Sequence, residues 1–321
     1  MRYGRFKMYE RIIKKFYIQI EGVVQMEFQH ITVAGSGVLG SQIAFQSAFH
    51  GFQVSVYDIN ETAIVKAKER LLKLQDVYAD YFKDEENAKA ALSRITYSTS
   101  LQEAVKDADL LIEAIPELTE IKISFYQELA SVAPQKTIFA TNSSTLLPSQ
   151  FAEYTGRPEK FLALHFANEV WKNNTAEVMG HSGTDEQYVD QLVEFAREIG
   201  MVPLRILKEQ PGYILNSLLV PLLNAAQGLW AKGVADPETI DKTWMLATGA
   251  PMGPFAILDV VGIETAYNIV STSAKAHPEL QPIVDRLKKE FIDQGKLGKG
   301  SGEGYYKYPN PAYLDPNFLK A

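Results

Sequence analysis

The chain has 321 residues, 46% of them hydrophobic and 22% charged, with a formal net charge of −7 and no cysteine. That length suits two domains better than one core, and the acidic balance (pI about 5.4) speaks against nucleic acid as a partner. Without cysteine there is no disulfide framework, thiolate nucleophile or cysteine metal site, which suits a reducing cytoplasm; no uninterrupted apolar run reaches the roughly 18–20 residues of a membrane helix, so no membrane partner is expected.

The first 25 residues differ in charge from the rest. Arg2, Arg5, Lys7, Arg11, Lys14 and Lys15 face only Glu10 and Glu21, a net of +4. The stretch lacks the apolar core and small-residue cleavage site of a targeting peptide. It reads as an N-terminal extension, residues 1–25, with Met26 opening the folded unit.

Ile31-Thr32-Val33-Ala34 is a short β-branched run, predicted to be a buried strand. It leads into Gly35-Ser36-Gly37-Val38-Leu39-Gly40, an amphipathic helix ending near His50-Gly51, and a second strand, Gln53 to Tyr57, that stops at Asp58. Strand, G-x-G-x-x-G, helix, strand, acid is the order of a dinucleotide site. Gly35 permits the tight turn, Gly37 lets backbone approach a pyrophosphate, and Gly40 lets helix and strand pack closely. The helix start, from Val38 and Leu39 onward, offers free N–H groups and a positive dipole end to phosphates. Asp58 can accept from both ribose hydroxyls and would repel a 2′-phosphate, so NAD is favoured over NADP. The bland alternative makes Asp58 a helix cap before Glu61.

Glu61 to Ser93 reads as a charged helical hairpin, with Ile64, Ala67, Leu71 and Leu74 at helical spacing and a break near Asp84-Glu85-Glu86. Strands follow at Ile95–Tyr97, Leu110–Ile112 and Thr137–Thr141, with a helix from about Thr119 to Ala133. Phe161–Leu164 is the next strand. It is predicted to end at His165 and to give way to a polar loop reaching Glu177. Ligands of doubly wound sheets sit outside the carboxyl ends of strands, and Glu117, Ser144 and His165 all fall at such ends. A helix from about Asp185 to Ile199 and a strand at Val202–Leu207 complete a first domain, residues 26–209. From Pro211-Gly212-Tyr213 the pattern becomes all helix, residues 210–321. It is punctuated by a turn at "ATGAPMGPF" (247–255) and closed by "LGKGSGEGYYKY" (297–308). The fold class expected is an α/β Rossmann-type dinucleotide-binding domain followed by a helical C-terminal domain.

With these motifs in order, the chain resembles the L-3-hydroxyacyl-CoA dehydrogenase family over about residues 29 to 308. "GSGVLGSQIA", "EAIPE", "FATNSST", the His165 to Glu177 spacing, "PGYILNSLLVPLLNAA", "PMGPFAILDVVG" and "GSGEGYYKY" carry the likeness. It implies NAD as cofactor, a small-molecule substrate, oxidation of a 3-hydroxyacyl-CoA (short chains included), and a hydride-transfer site between the two domains. It also implies a homodimer formed through the C-terminal helices. His165 and Glu177 match the family's base and orienting carboxylate. Ser144 and Asn216 match residues that hydrogen-bond the substrate oxygen and the histidine's surroundings. Glu117, Lys122, Asn142 and Asn168 would line the nicotinamide-ribose side of the cofactor site.

The residue types suit that chemistry. Oxidising a secondary alcohol removes an O–H proton while hydride leaves carbon, and an imidazole titrates near enough to neutrality to take and return that proton. A carboxylate on its other nitrogen fixes the tautomer and stabilises the imidazolium. Structural alternatives exist for each: a satisfied core histidine, a turn serine at Ser144, a capping asparagine at Asn216, a solvated helix charge at Lys122.

Three departures bear on the substrate. Where the family commonly has Asn-Pro-Val-Pro, this chain has Asn168-Glu169-Val170-Trp171, so Trp171, Lys172, Asn173 and Asn174 are expected to add bulk and polarity beside the substrate. A serine and a lysine that contact coenzyme A in family members align with Leu74 and Tyr81. Gly300 stands where a lysine is common, beside Lys299. These differences leave hydride transfer untouched and bring forward an alternative. That alternative is a dehydrogenase of a free hydroxy acid or sugar acid, like the gulonate or carnitine dehydrogenases. A third reading, a non-catalytic nucleotide-binding or crystallin-like protein, is opposed by the intact set of His165, Glu177, Ser144 and Asn216.

Overall fold

The computed structural model describes residues 28–320, so the extension at 1–25 and the start at Met26 lie outside the described residues. The chain divides into two compact units, one ending at Ile214 and one beginning at Leu215.

The first unit is built on eight strands: β1 (His30–Ala34), β2 (Gln53–Tyr57), β3 (Ile95–Ser98), β4 (Leu110–Glu113), β5 (Ile138–Thr141), β6 (Phe161–Phe166), β7 (Thr175–Gly180) and β8 (Val202–Ile206). They lie in the order β3-β2-β1-β4-β5-β6-β7-β8. Every pairing is parallel except β6 with β7. The helices of this unit are α1 (Val38–Phe49), α2 (Glu61–Phe82), α3 (Glu85–Ser93), α4 (Leu101–Val105), α5 (Thr119–Val132) and α6 (Glu186–Glu198).

Strand alternation sorts the side chains to two faces. Leu110 and Ile112 of β4, with Ile138 and Ala140 of β5, join α1, α2, α3 and α6 in one core. Leu111 and Phe139 point the other way, into a second core with α4 and α5. Both faces are thus covered, as a mainly parallel sheet requires. The expected helical hairpin is present. Lys83 ends α2 in a left-handed conformation and the Asp84 side chain caps α3 through Asn87 N.

Two expectations need correcting here. β6 does not stop at Leu164 but runs through His165 to Phe166, and the segment read as a polar loop turns back as a strand. In the antiparallel β6–β7 register His165 lies directly opposite Glu177. The asparagine-rich connection at 167–174 is a polar turn region as read, but Thr175–Gly180 beyond it is a strand that a periodicity reading did not show.

The second unit holds α7 (Tyr213–Ala231, which crosses the division), α8 (Pro237–Thr248), α9 (Pro254–Val261), α10 (Ile263–Ala274) and α11 (Gln281–Glu290). Leu223, Ala226 and Trp230 of α7 enter its core with Phe255, Leu258, Ile263 and Leu287. Over its 19 residues α7 has the length and hydropathy to cross a membrane, which differs from the sequence expectation. Asn216, Ser217, Asn224 and Gln227 interrupt it, so no uninterrupted apolar run appears in the sequence.

Two buried carboxylates organise this unit. Asp241 of α8 accepts the N–H groups of Phe255 and Ala256 at the start of α9, and the Tyr306 hydroxyl. Asp259 of α9 accepts the N–H groups of Tyr305 and Tyr306 and the Tyr308 hydroxyl. The "PMGPF" turn and the closing "GEGYYKY" segment are therefore tied by hydrogen bonds to charged groups, the stronger class.

Candidate active site

The glycine loop matches its expected geometry. Gly35 has φ +95°, and a side chain there would strike the Ala114 carbonyl; one at Gly40 would strike the carbonyl of Gly35. Gly37 differs, because a side chain at that position would meet open space. Gly37 is also the N-cap of α1 and no side chain caps the helix start. The N–H groups at Val38 and Leu39 therefore face room that a phosphate can fill. Asp58, at the end of β2, is held by the glycine loop itself. Its Oδ2 accepts the Ser36 N–H at 2.8 Å and the Ser36 hydroxyl at 2.5 Å, and Oδ1 accepts the N–H of Ile59. The helix cap considered for Asp58 is supplied by Asn60, whose side chain accepts from Ala63 N.

A buried network lies under the ends of β4 and β5. Glu113, fully buried, accepts the Lys122 ammonium at 2.6 Å, the Tyr126 hydroxyl at 2.7 Å, the Thr141 hydroxyl at 2.8 Å and the N–H of Ile115. Lys122 is only 1% exposed and also reaches Glu117 at 3.2 Å. It is not the solvated helix charge considered as its alternative but a strut between two carboxylates, one of which, Glu117, is the other residue expected on the nicotinamide-ribose side. Glu117 in turn accepts the Ser143 hydroxyl and the Ser144 N–H, each at 2.7 Å. Burial pushes the Glu117 carboxyl up, but Lys122 and these donors outweigh it and hold the group below the usual carboxylate range. Sequence reasoning missed Glu113 and Tyr126. The only available signal was an acid closing the apolar run Leu110-Leu111-Ile112.

From Glu117 the contacts continue into the histidine. Ser144 Oγ is 3.2 Å from His165 Nε2, and His165 Nδ1 is 2.9 Å from Glu177 Oε2. Glu177 Oε1 accepts the N–H of Ile214. The β6 alternation turns His165 to the same side as Ala163, where the Tyr213 ring stacks on the imidazole at 4.4 Å between centroids, 16° from parallel. A carboxylate only accepts, so Nδ1 carries the proton of the neutral ring and Nε2 is left as an acceptor facing Ser144. His165 and Glu177 are 5% and 2% exposed, which keeps their electrostatic interaction strong.

The remaining expected residues are more scattered. Asn142, buried, accepts the N–H of Phe166 and joins the ends of β5 and β6. Asn168 is exposed in the β6–β7 turn, its carbonyl accepting from Asn173. Asn216 lies in the first turns of α7, within the second unit. Gln42 of α1, not singled out by the sequence, accepts the N–H groups of Glu169 and Val170 and pins the turn. Trp171 packs on the core with its ring 5.7 Å from that of Tyr78. Its bulk goes inward against α2, not to the substrate side as expected. Leu74 is likewise part of the core, whereas Tyr81 is half exposed.

Comparison with known proteins gives the chemistry a family. Residues 30–210 match the profile of the 3-hydroxyacyl-CoA dehydrogenase NAD binding domain, and residues 212–308 match that of the 3-hydroxyacyl-CoA dehydrogenase C-terminal domain. The chain belongs to the 3-hydroxyacyl-CoA dehydrogenase family. It is an NAD-dependent oxidoreductase, with a Rossmann domain followed by the family's helical domain. A probable 3-hydroxybutyryl-CoA dehydrogenase of Bacillus subtilis is 34% identical, over 88% of this chain and 98% of the relative. The mitochondrial hydroxyacyl-coenzyme A dehydrogenase of Rattus norvegicus is 37% identical, over 87% and 91%. Among solved structures, a diketoreductase described as acting on dicarbonyl compounds is 57% identical. It superposes with a TM-score of 0.85, covering 88% of this chain and 99% of its own.

Proposed function

We propose that the protein interconverts a 3-hydroxyacyl-CoA, short chains included, and the 3-ketoacyl-CoA, with His165 as general base and acid. The observation that carries this is the continuous line Ser144–His165–Glu177, in which Glu177 takes Nδ1 and leaves Nε2 on the Ser144 side. NAD, when bound, supplies the hydride acceptor. His165 Nε2 takes the hydroxyl proton, Ser144 holds the reacting oxygen, and Glu177 stabilises the imidazolium that results. Tyr213 limits the tilt of the ring by stacking on it. Gly35, Gly37, Val38, Leu39, Gly40 and Asp58 are proposed to hold the adenosine and pyrophosphate. Glu117, Asn142 and Asn168 are proposed for the nicotinamide-ribose side, with Lys122 acting through Glu117. Asn216 is assigned a polar contact to the substrate on its family position alone.

A second reading draws on two specific observations. The diketoreductase shares 57% identity, well above the CoA dehydrogenases quoted, and Leu74 is packed into the core at a coenzyme A contact position. The same proton and hydride chemistry would then serve a carrier-free hydroxy or dicarbonyl compound. A substrate panel followed by NADH absorbance separates the two. Turnover of 3-hydroxybutyryl-CoA well above that of free hydroxy acids and dicarbonyls supports the first reading, and the reverse order overturns it.

The homodimer and a cytoplasmic setting are proposed as well. Within the second unit Leu215, Leu218 and Leu229 of α7, and Leu246, Val260 and Ile269 on other helices, are exposed apolar side chains. They supply the kind of surface that a second subunit covers. Sedimentation at micromolar concentration tests the dimer, and a monomer there rejects it.

A further inference from the structure

The cavity beside the glycine loop carries more positive charge than an NAD ribose requires. It has a volume of about 410 Å³ and is lined by Ser36, Gly37, Asp58 and Asn60, with Lys66 and Arg70 one helical turn apart on α2. Arg70 Nη1 donates to the Ser36 carbonyl at 3.1 Å, while the Ser36 N–H and hydroxyl both donate to Asp58. One residue of the glycine loop therefore holds a guanidinium on one side and a carboxylate on the other. Among the described residues neither Lys66 nor Arg70 forms an ion pair with an acid. Asp58 is fixed by three donors, so it cannot swing out of the way of a ligand without leaving them unsatisfied.

We propose that Lys66 and Arg70 form a latent phosphate pocket at the adenosine end, and that Asp58 alone keeps the 2′-phosphate of NADP out of it. The inference rests on this cavity being the adenosine end of the NAD site. The physics is a balance of charge within one small volume. A ribose 2′-hydroxyl donates to a carboxylate, whereas a 2′-phosphate repels it. A guanidinium and an ammonium do the opposite, and the guanidinium fork suits a phosphate in particular. Removing the acid helps a 2′-phosphate only where something else can hold it. Here the cations are already in place, so discrimination depends on a single side chain.

The test uses adenosine 2′,5′-bisphosphate and ADP as probes, titrated calorimetrically against the full-length protein, so that the readout is binding and not turnover. Wild type should bind ADP and scarcely bind the bisphosphate. Asp58→Asn should bind the bisphosphate about 10–100-fold more tightly than wild type, the scale of one or two charge-assisted hydrogen bonds. Adding Arg70→Ala or Lys66→Ala to Asp58→Asn should remove most of that gain while ADP binding changes little. Asp58→Ser is carried in parallel so that one poorly folding variant does not decide the matter. A folded Asp58 variant that binds ADP but gains nothing for the bisphosphate would overturn the proposal. So would a gain that survives loss of both cations. If wild type binds neither ADP nor NADH, the adenosine-site reading itself fails and takes this proposal with it.

Discussion

His165 and Glu177 are cross-strand neighbours in the antiparallel β6–β7 pair, and Nδ1 meets Oε2 at 2.9 Å. Their twelve-residue spacing is one residue of β6, two of β7 and the connection between the strands. Register, rather than a loop conformation, sets the geometry of the pair. Replacing His165 by Ala should lower kcat by about 10²–10⁴-fold, the usual worth of general-base catalysis. NADH affinity, read by fluorescence, should stay within a few-fold. Near-normal turnover in the folded variant would remove His165 from the mechanism.

Glu177→Gln is a subtler probe. The amide oxygen still accepts one hydrogen bond, but the charge that stabilises an imidazolium is gone. We expect kcat to fall by roughly tenfold or more, with a change in the pH profile of kcat that a purely structural role would not produce. An unchanged profile would argue that Glu177 only braces the β6–β7 pair and the Ile214 N–H.

Lys122→Met tests the strut beneath Glu117. The substitution leaves Glu113 fully buried without its cation, and breaking a buried pair from one side costs about 3–5 kcal/mol. Urea unfolding followed by circular dichroism should show a loss of that order. Removing the Lys122 attraction should also raise the Glu117 pKa. Because the Glu117 carboxyl is held low in the folded state, its contribution to stability is present above the usual carboxylate pKa and lost on acidification. The variant should therefore lose less stability than wild type as pH falls below about 4.5. A variant as stable as wild type would mean that Lys122 does not brace the network.

The substrate handle can be weighed directly. Leu74 is packed into the core and Tyr81 offers a half-exposed phenol ring, so neither position, where the family resemblance implies coenzyme A contacts, carries a cation. Shortening the carrier of 3-hydroxybutyryl-CoA to pantetheine should cost less than about tenfold in kcat/KM, under 1.4 kcal/mol. Both kcat and KM need measuring, since binding energy from a remote handle can appear in either. A hundredfold loss would show that other residues grip the nucleotide.

Asp259 predicts an unusual pH dependence for the second unit. Burial pushes its carboxyl up to about 6, against the bonds from Tyr305, Tyr306 and Tyr308. In the unfolded chain the same group loses its proton near pH ~4. Between those values the folded state binds more protons, so stability falls as pH rises through the window, by roughly 2–3 kcal/mol in all. Calorimetric melting of wild type should show this decline from pH 4 to 6. Asp259→Asn should be less stable throughout, because the Tyr305 and Tyr306 N–H groups use different oxygens and the amide NH2 would face one of them, but should lack the decline. Parallel pH curves for the two proteins would refute the assignment.

What could be read in advance followed range of contact. The glycine loop and Asp58 lie within one βαβ turn, so spacing alone located them. The His165–Glu177 pair was found as a spacing while its cause, a second strand, was not, because the turn residues mask the alternation of Thr175–Gly180. Glu113 was overlooked since its partners Lys122, Tyr126 and Thr141 come from two later elements that only the folded sheet brings together. Trp171 was misplaced for the same reason. Its sequence neighbours are polar, and only the packing of α2 shows which way the ring turns.

The carboxylate of Asp259 waits for donors 46 to 49 residues further along the chain. During synthesis the two units must therefore mature at different times. The sheet and its histidine have all their strands by residue 206, whereas the helical unit cannot satisfy its buried acid until Tyr305, Tyr306 and Tyr308 have left the ribosome. A nascent chain stalled before Gly298 should carry a protease-resistant first unit and a cleavable second one. For this protein the final stretch of translation is when the last third of the molecule is sealed.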